Sequence, residues 1–138
     1  MKTPTEKPKP RKVPNENSIT NAILTYLNCQ PNTFAWRNNT TGIYDSRKKC
    51  YRARTGKYNI KGVADILGIT DDGEGRGIFI AIEVKRPGGR ASREQQNYLS
   101  RIKALGGIAG IATSVLEAKE ILTGETHETK RLPRSLSS

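Results

Sequence analysis

Residues 62–85, GVADILGITDDGEGRGIFIAIEVK, hold two apolar runs on either side of a turn rich in Gly and Asp. That turn is too short for a crossover helix, so the two runs are expected to pair as an antiparallel hairpin. Centring it on Glu74 makes opposed residue numbers sum to about 148, which sets Asp65 opposite Glu83. Alternation then puts Glu83 and Lys85 on one strand face, below Phe79 and Ala81, and Ile78, Ile80, Ile82 and Val84 on the other. Both faces begin apolar, so this strand is expected to be central in a sheet covered on both sides. Opposed Cβ atoms lie about 5 Å apart, which brings two carboxylates and an ammonium into one patch. The ordinary reading is an ion pair at the sheet rim. The alternative is chemical. Two such carboxylates repel each other unless a cation sits between them, and a hard divalent ion, magnesium first, fits, with the Val84 carbonyl as a further oxygen ligand. Such an ion polarises a scissile phosphate and acidifies water, while Lys85 holds or deprotonates that water and screens the developing charge. This is the chemistry of phosphodiester hydrolysis.

Charge points to the same substrate. Lys and Arg number 24 against 13 Asp and Glu in 138 residues, a net +11, which favours a polyanionic partner, nucleic acid before an anionic membrane. No apolar run reaches a membrane-spanning length and no signal-peptide pattern opens the chain, so a soluble intracellular protein is expected. Cys29 and Cys50 form no CxxC pair and have no nearby His, which suggests neither zinc nor a disulfide framework. His127 is the only histidine and lies in a polar tail, which disfavours a histidine base.

Along the chain, residues 1–14 are basic and Pro-rich and read as a disordered arm, residues 15–124 as the one folded domain, and residues 125–138 as a loose tail. Asn15 or Asn17 caps a first helix with the apolar stripe Ile19, Ala22, Ile23, Tyr26 and Leu27, and Glu16 lies one turn before Ile19. A short strand, TFAWRN, leads into a segment from Asn38 to Gly62 with seven cations, Arg47, Lys48, Lys49, Arg52, Arg54, Lys57 and Lys61, and only Asp45 as an acid. Tyr44, Tyr51 and Tyr58 are interleaved with them, an arrangement suited to gripping phosphates and sugars; a solvated loop or hairpin is the plain alternative. After the hairpin, a helix with Tyr98, Leu99, Ile102 and Leu105 on one face, the strand IAGIA, and a helix from Ser114 to about Leu122 are expected. Ser92 and Gln95 have capping-box spacing, as do Ser114 and Glu117.

The ordered set Asp65, Glu83 and Lys85, followed by GGRASREQQNYL, resembles the VRR-NUC family of the PD-(D/E)xK nuclease superfamily over roughly residues 15–122. Val63 and Ala64 stand where the superfamily label has a proline. The resemblance implies an α/β fold with a restriction-endonuclease-like core, a mixed central sheet of four or five strands flanked by helices. By it, Asp65 and Glu83 are metal ligands, Lys85 is the catalytic lysine and Gln95 approaches from its helix. Glu16 is a further acid that can face the metal in this family. Arg37, Arg86 and Arg90 are candidate phosphate contacts, as are the cations of residues 38–62. The implied activity is a Mg2+- or Mn2+-dependent, structure-selective DNA endonuclease. The small stand-alone phage-type members further suggest a homodimer on branched DNA such as four-way junctions, in the cytoplasm of a bacterial host. A flap or nicking nuclease, a noncatalytic nucleic-acid-binding module and a basic structural protein are the competing readings.

Overall fold

Asn15 closes the extended N-terminal stretch: its Oδ1 accepts the Ser18 N–H at 2.8 Å, and helix α1 (Glu16–Cys29) begins. The computed structural model describes residues 7–39, 43–52 and 56–124. The first six residues of the expected arm, Arg54, and the expected tail with His127 lie outside them. The buried residues of α1 are Ile19, Thr20, Ile23 and Leu27. Thr20 takes the place expected of Ala22, which is exposed, because its hydroxyl donates to the Glu16 carbonyl at 2.7 Å and so can be buried without a lost hydrogen bond.

Strand β1 (Thr33–Arg37) follows, then a separate hairpin of β2 (Ile43–Asp45) and β3 (Cys50–Arg52), then β4 (Ile66–Asp71) and β5 (Gly77–Val84). Helix α2 (Arg93–Ala104), β6 (Ile108–Ala112) and α3 (Val115–Thr123) complete the chain. The main sheet has the order β1-β4-β5-β6, with β6 parallel to β5 and the other pairs antiparallel. It is the expected mixed α/β sheet. Pairing between β4 and β5 runs from Ile66 with Ile82 to Asp71 with Gly77, the register set by a turn centred on Glu74. Gly68 lets β1 approach β4: a Cβ there would lie 2.7 Å from the Phe34 carbonyl oxygen.

Helices α1 and α3 cover one sheet face, packing Ile19, Ile23, Leu27 and Ala118 against Ile66, Ile80, Ile82, Val84 and Ala112. On the other face α2 sets Leu99 against Ala64, Ala81 and Ala109, with Leu67, Tyr98 and Ile102 partly buried beside them. Leu105, expected on that buried stripe, is 83 % exposed: α2 stops at Ala104 and the turn into Gly106, at φ +94°, carries Leu105 outward. At α3, Ser114 accepts from the Glu117 N–H, but the Glu117 carboxylate takes the Thr113 N–H and hydroxyl instead of completing a capping box. Among the described residues no helix is long and apolar enough to cross a membrane.

Candidate active site

The β4–β5 hairpin ends where its charged residues begin. One residue before β4, Asp65 Oδ2 accepts the Val84 N–H at 2.9 Å, so a side chain takes over the acceptor role that backbone carbonyls play along the ladder. Glu83 lies on the α2 side of β5 and is 2 % exposed. Its Oε1 accepts from Gln95 Nε2 at 2.6 Å and faces Lys85 Nζ at 3.4 Å. Its Oε2 is buried and has no hydrogen-bond partner among the described residues. Burial, and then the neighbouring charge of Asp65, raise the Glu83 carboxyl to about 7, against the opposing pull of Lys85.

Gln95 serves two structures at once. Its Oε1 accepts the Ser92 N–H at 2.8 Å while the Ser92 hydroxyl accepts the Gln95 N–H, a full capping box at the start of α2. Its amide nitrogen is thereby turned onto Glu83. The helix start is itself pressed into place by Gly62, at φ +77°, where a Cβ would come within 2.4 Å of the Glu94 backbone. Asn38 holds the other side: its N–H donates to the Asp65 carbonyl at 2.7 Å and its side chain to the Ala64 carbonyl at 3.2 Å. Neither Gly62 nor Asn38 is evident as a site residue in the sequence. The one local signal is their position at the ends of segments that flank Asp65.

Asp65, Glu83, Val84, Lys85 and Gln95 are thus brought together. Glu16 is not. It is exposed on the first turn of α1, and α1 packs on the sheet face opposite Glu83. Among the described residues no third His, Cys, Asp or Glu joins the pair. Arg37 ties α1 to the end of β1, donating to Asn21 Oδ1 at 2.7 Å and to the Asn17 carbonyl at 3.4 Å. Arg86 and Arg90 are exposed in the β5–α2 connection beside Lys85. Arg47, Lys48 and Lys49 form the exposed turn of the β2–β3 hairpin, and Arg52 pairs with Asp45 at 3.2 Å. Lys57 and Lys61 are exposed, with Lys57 Nζ 5.6 Å from the Tyr58 ring centre.

Two adjacent carboxylates, one with a buried and unpartnered oxygen, form an oxygen donor set that suits a hard divalent cation better than a soft one. The VRR-NUC domain matches residues 15–116. The chain belongs to the VRR-NUC family. Its α/β architecture of three helices and a mixed four-strand sheet is consistent with the restriction-endonuclease-like core of that family. Membership in VRR-NUC makes the chain a nuclease of the PD-(D/E)xK type, with DNA as its partner, in a class that usually needs divalent metals. No curated protein and no solved structure matches the chain.

Proposed function

We propose that this VRR-NUC chain is a Mg2+- or Mn2+-dependent endonuclease that cuts branched DNA, four-way junctions among them, as a homodimer. The observation that carries the metal and the site is the buried, unpartnered Glu83 Oε2 beside Asp65, with Lys85 and Gln95 on the other Glu83 oxygen. Asp65, Glu83 and the Val84 carbonyl would hold the cation, which when bound supplies Lewis-acid polarisation of the scissile phosphate. Lys85 Nζ donates to the attacking water or a phosphate oxygen and offsets charge that grows as the bond breaks. Gln95 fixes the Glu83 carboxylate, and the Val84 N–H fixes that of Asp65, so neither must reorganise during the reaction. Arg86, next to Lys85 in the chain, Arg90 in the same connection, and the basic hairpin supply phosphate contacts. Each short chain carries one site, so paired incisions across a branch call for two copies related by a two-fold axis.

The noncatalytic reading leaves unexplained why a buried Glu83 stands beside Asp65 in a strongly basic chain, since paired carboxylates repel phosphates unless a cation sits between them. Labelled duplex, nicked, flap and four-way-junction DNA, incubated with Mg2+, Mn2+ or EDTA, tests the proposal. Cleavage of branched forms with metal and none in EDTA is expected. Lys85→Ala should lower the rate about 100-fold or more, the cost of losing one preorganised charge donor. Its DNA affinity should stay nearly unchanged, since one cation among many is a small share of binding. Binding without cleavage in either metal would leave the noncatalytic module standing instead.

A further inference from the structure

The β2–β3 hairpin carries two aromatic rings with no core beneath them. It is a sheet apart from the main one, and neither Tyr44 nor Tyr51 belongs to a buried cluster. The two stand directly opposite each other in the pairing, edge to face, with ring centres 5.2 Å apart. Tyr44 is nevertheless 55 % exposed and Tyr51 67 %. An edge-to-face contact sets the rim of one ring against a single face of the other, and the remaining ring faces stay free of the partner. The contact helps to hold two strands that are marginal alone. Holding them needs only an apolar cross-strand pair, which β-branched residues supply without any flat π surface.

Cations flank the pair. Asp45 follows Tyr44 and Cys50 precedes Tyr51, so the turn between them springs directly from the two tyrosines. Asp45 is spent inside the hairpin: Oδ1 accepts the Arg47 N–H at 2.9 Å and the Lys48 N–H at 3.3 Å, and Oδ2 pairs with Arg52 Nε at 3.2 Å. Arg47, Lys48 and Lys49 are exposed, and none of them is in an ion pair among the described residues. Lys49 has a φ of +50°, a left-handed conformation that favours glycine, so the turn keeps a cation at some backbone cost.

We propose that Tyr44 and Tyr51 form a stacking platform for unpaired bases. The inference deepens the branched-DNA reading above and rests on its choice of DNA as partner. Every nucleotide carries a phosphate, so the turn cations alone cannot tell a branched substrate from a plain duplex. Base faces can. Inside a duplex they are covered by their neighbours, and they open only at ends, branch points and single-stranded segments. Exposed aromatic rings beside cations are the combination that binds such nucleotides, ring against base and cation against phosphate. An apolar protein partner fits less well, because the hairpin sets four cations against one engaged acid and so selects a polyanion.

A short oligothymidylate and an equally long strand of abasic nucleotides carry the same phosphates and differ only in their bases. Anisotropy titrations of the full chain with each, in EDTA so that no metal-dependent cleavage intervenes, isolate stacking from charge. The thymidylate should bind about 30-fold or more tightly, the effect of two stacked bases. The double variant Tyr44→Ile/Tyr51→Ile should bind the two strands equally, with an unchanged salt slope, because no phosphate contact is lost. Tyr44→Phe/Tyr51→Phe should keep the preference. Should the double Ile variant fail to fold, the single variants decide, each expected to bind the thymidylate about 5-fold more weakly. Equal binding of both strands by the unaltered chain, or a preference that survives in the Ile variants, overturns the platform. Cleavage of branched DNA by a chain without base preference removes the platform and leaves the nuclease standing. A tyrosine-dependent preference in a chain that never cuts supports the platform and removes only the nuclease reading.

Discussion

Glu83 is buried beside Asp65, and the cost of ionising it there can be measured apart from catalysis. Its carboxyl is raised from 4.5 to about 7, first by burial and then by Asp65. Below about 4.5 the residue is protonated in folded and unfolded chains alike. Between there and about 7 the unfolded chain ionises freely while the folded one does not, so this group's contribution to stability is lost as pH rises through that window. The metal-free protein should therefore lose more thermal stability between about pH 5 and about pH 8 than the variant Glu83→Gln, which titrates nowhere in that range. Equal losses in the two proteins would mean that Glu83 is not held this way. The same variant should be inactive, because an amide oxygen is a weaker cation ligand than a carboxylate. Much of this patch is legible in the sequence. Strand alternation and a turn too short for a helix leave few registers, so the approach of Asp65 to Glu83 follows from counting residues. The position of Glu16 is not legible, because its face depends on which side of the sheet α1 docks, and periodicity within one helix carries no such information.

Between elements, the decisive contact is the backbone of the loop before β4 against the first turn of α2. Gly62 makes it, and a side chain there meets two obstacles: the left-handed backbone and the Glu94 main chain within 2.4 Å. Gly62→Ala should cost about 2 kcal/mol or more in denaturant unfolding and should lower turnover, because the shifted helix start carries Gln95 away from Glu83. Unchanged stability would show that the loop moves aside without strain. From sequence, Gly62 is one more glycine near a turn, since a close approach between distant segments leaves no local signature. The capping box Ser92-x-x-Gln95 is readable, because both partners lie within one helical turn. The fate of Leu105 is not. Whether a residue at the end of an apolar stripe stays buried depends on where the helix stops, and here the Gly106 turn decides that. The exposure of Phe34, Trp36, Ile69 and Phe79 is equally hidden, because β1 and β4 alternate as a covered sheet would and, among the described residues, the cluster under α2 reaches Leu67 but none of these four.

Across the whole molecule, charge is divided by region. The acid-rich turn lies at one end of the β4–β5 hairpin, and Asp65, Glu83 and Lys85, the proposed catalytic groups, with Arg86 and Arg90 following, lie at the other. The β2–β3 hairpin is a separate two-stranded sheet with Arg47, Lys48 and Lys49 exposed in its turn. Asp45 organises that turn, accepting the Arg47 and Lys48 N–H groups through Oδ1 and the Arg52 guanidinium through Oδ2. Arg52 is therefore partly neutralised, and the three turn cations are the ones available to phosphates. Tyr44 and Tyr51 pair edge to face at 5.2 Å, so the hairpin's two large aromatics hold it together from within. If this hairpin grips DNA, replacing Arg47, Lys48 and Lys49 with Gln should weaken binding and flatten its salt dependence. The slope of log affinity against log salt should fall by roughly 2 to 3, about 0.9 for each phosphate that is no longer neutralised. Turnover at saturating DNA should hold, since none of the three is among the partners of Asp65, Glu83 or Lys85. An unchanged slope would place the hairpin off the DNA path and leave phosphate binding to Arg86, Arg90 and the basic N-terminal stretch. A lowered turnover with an unchanged slope would instead make the hairpin part of the catalytic end.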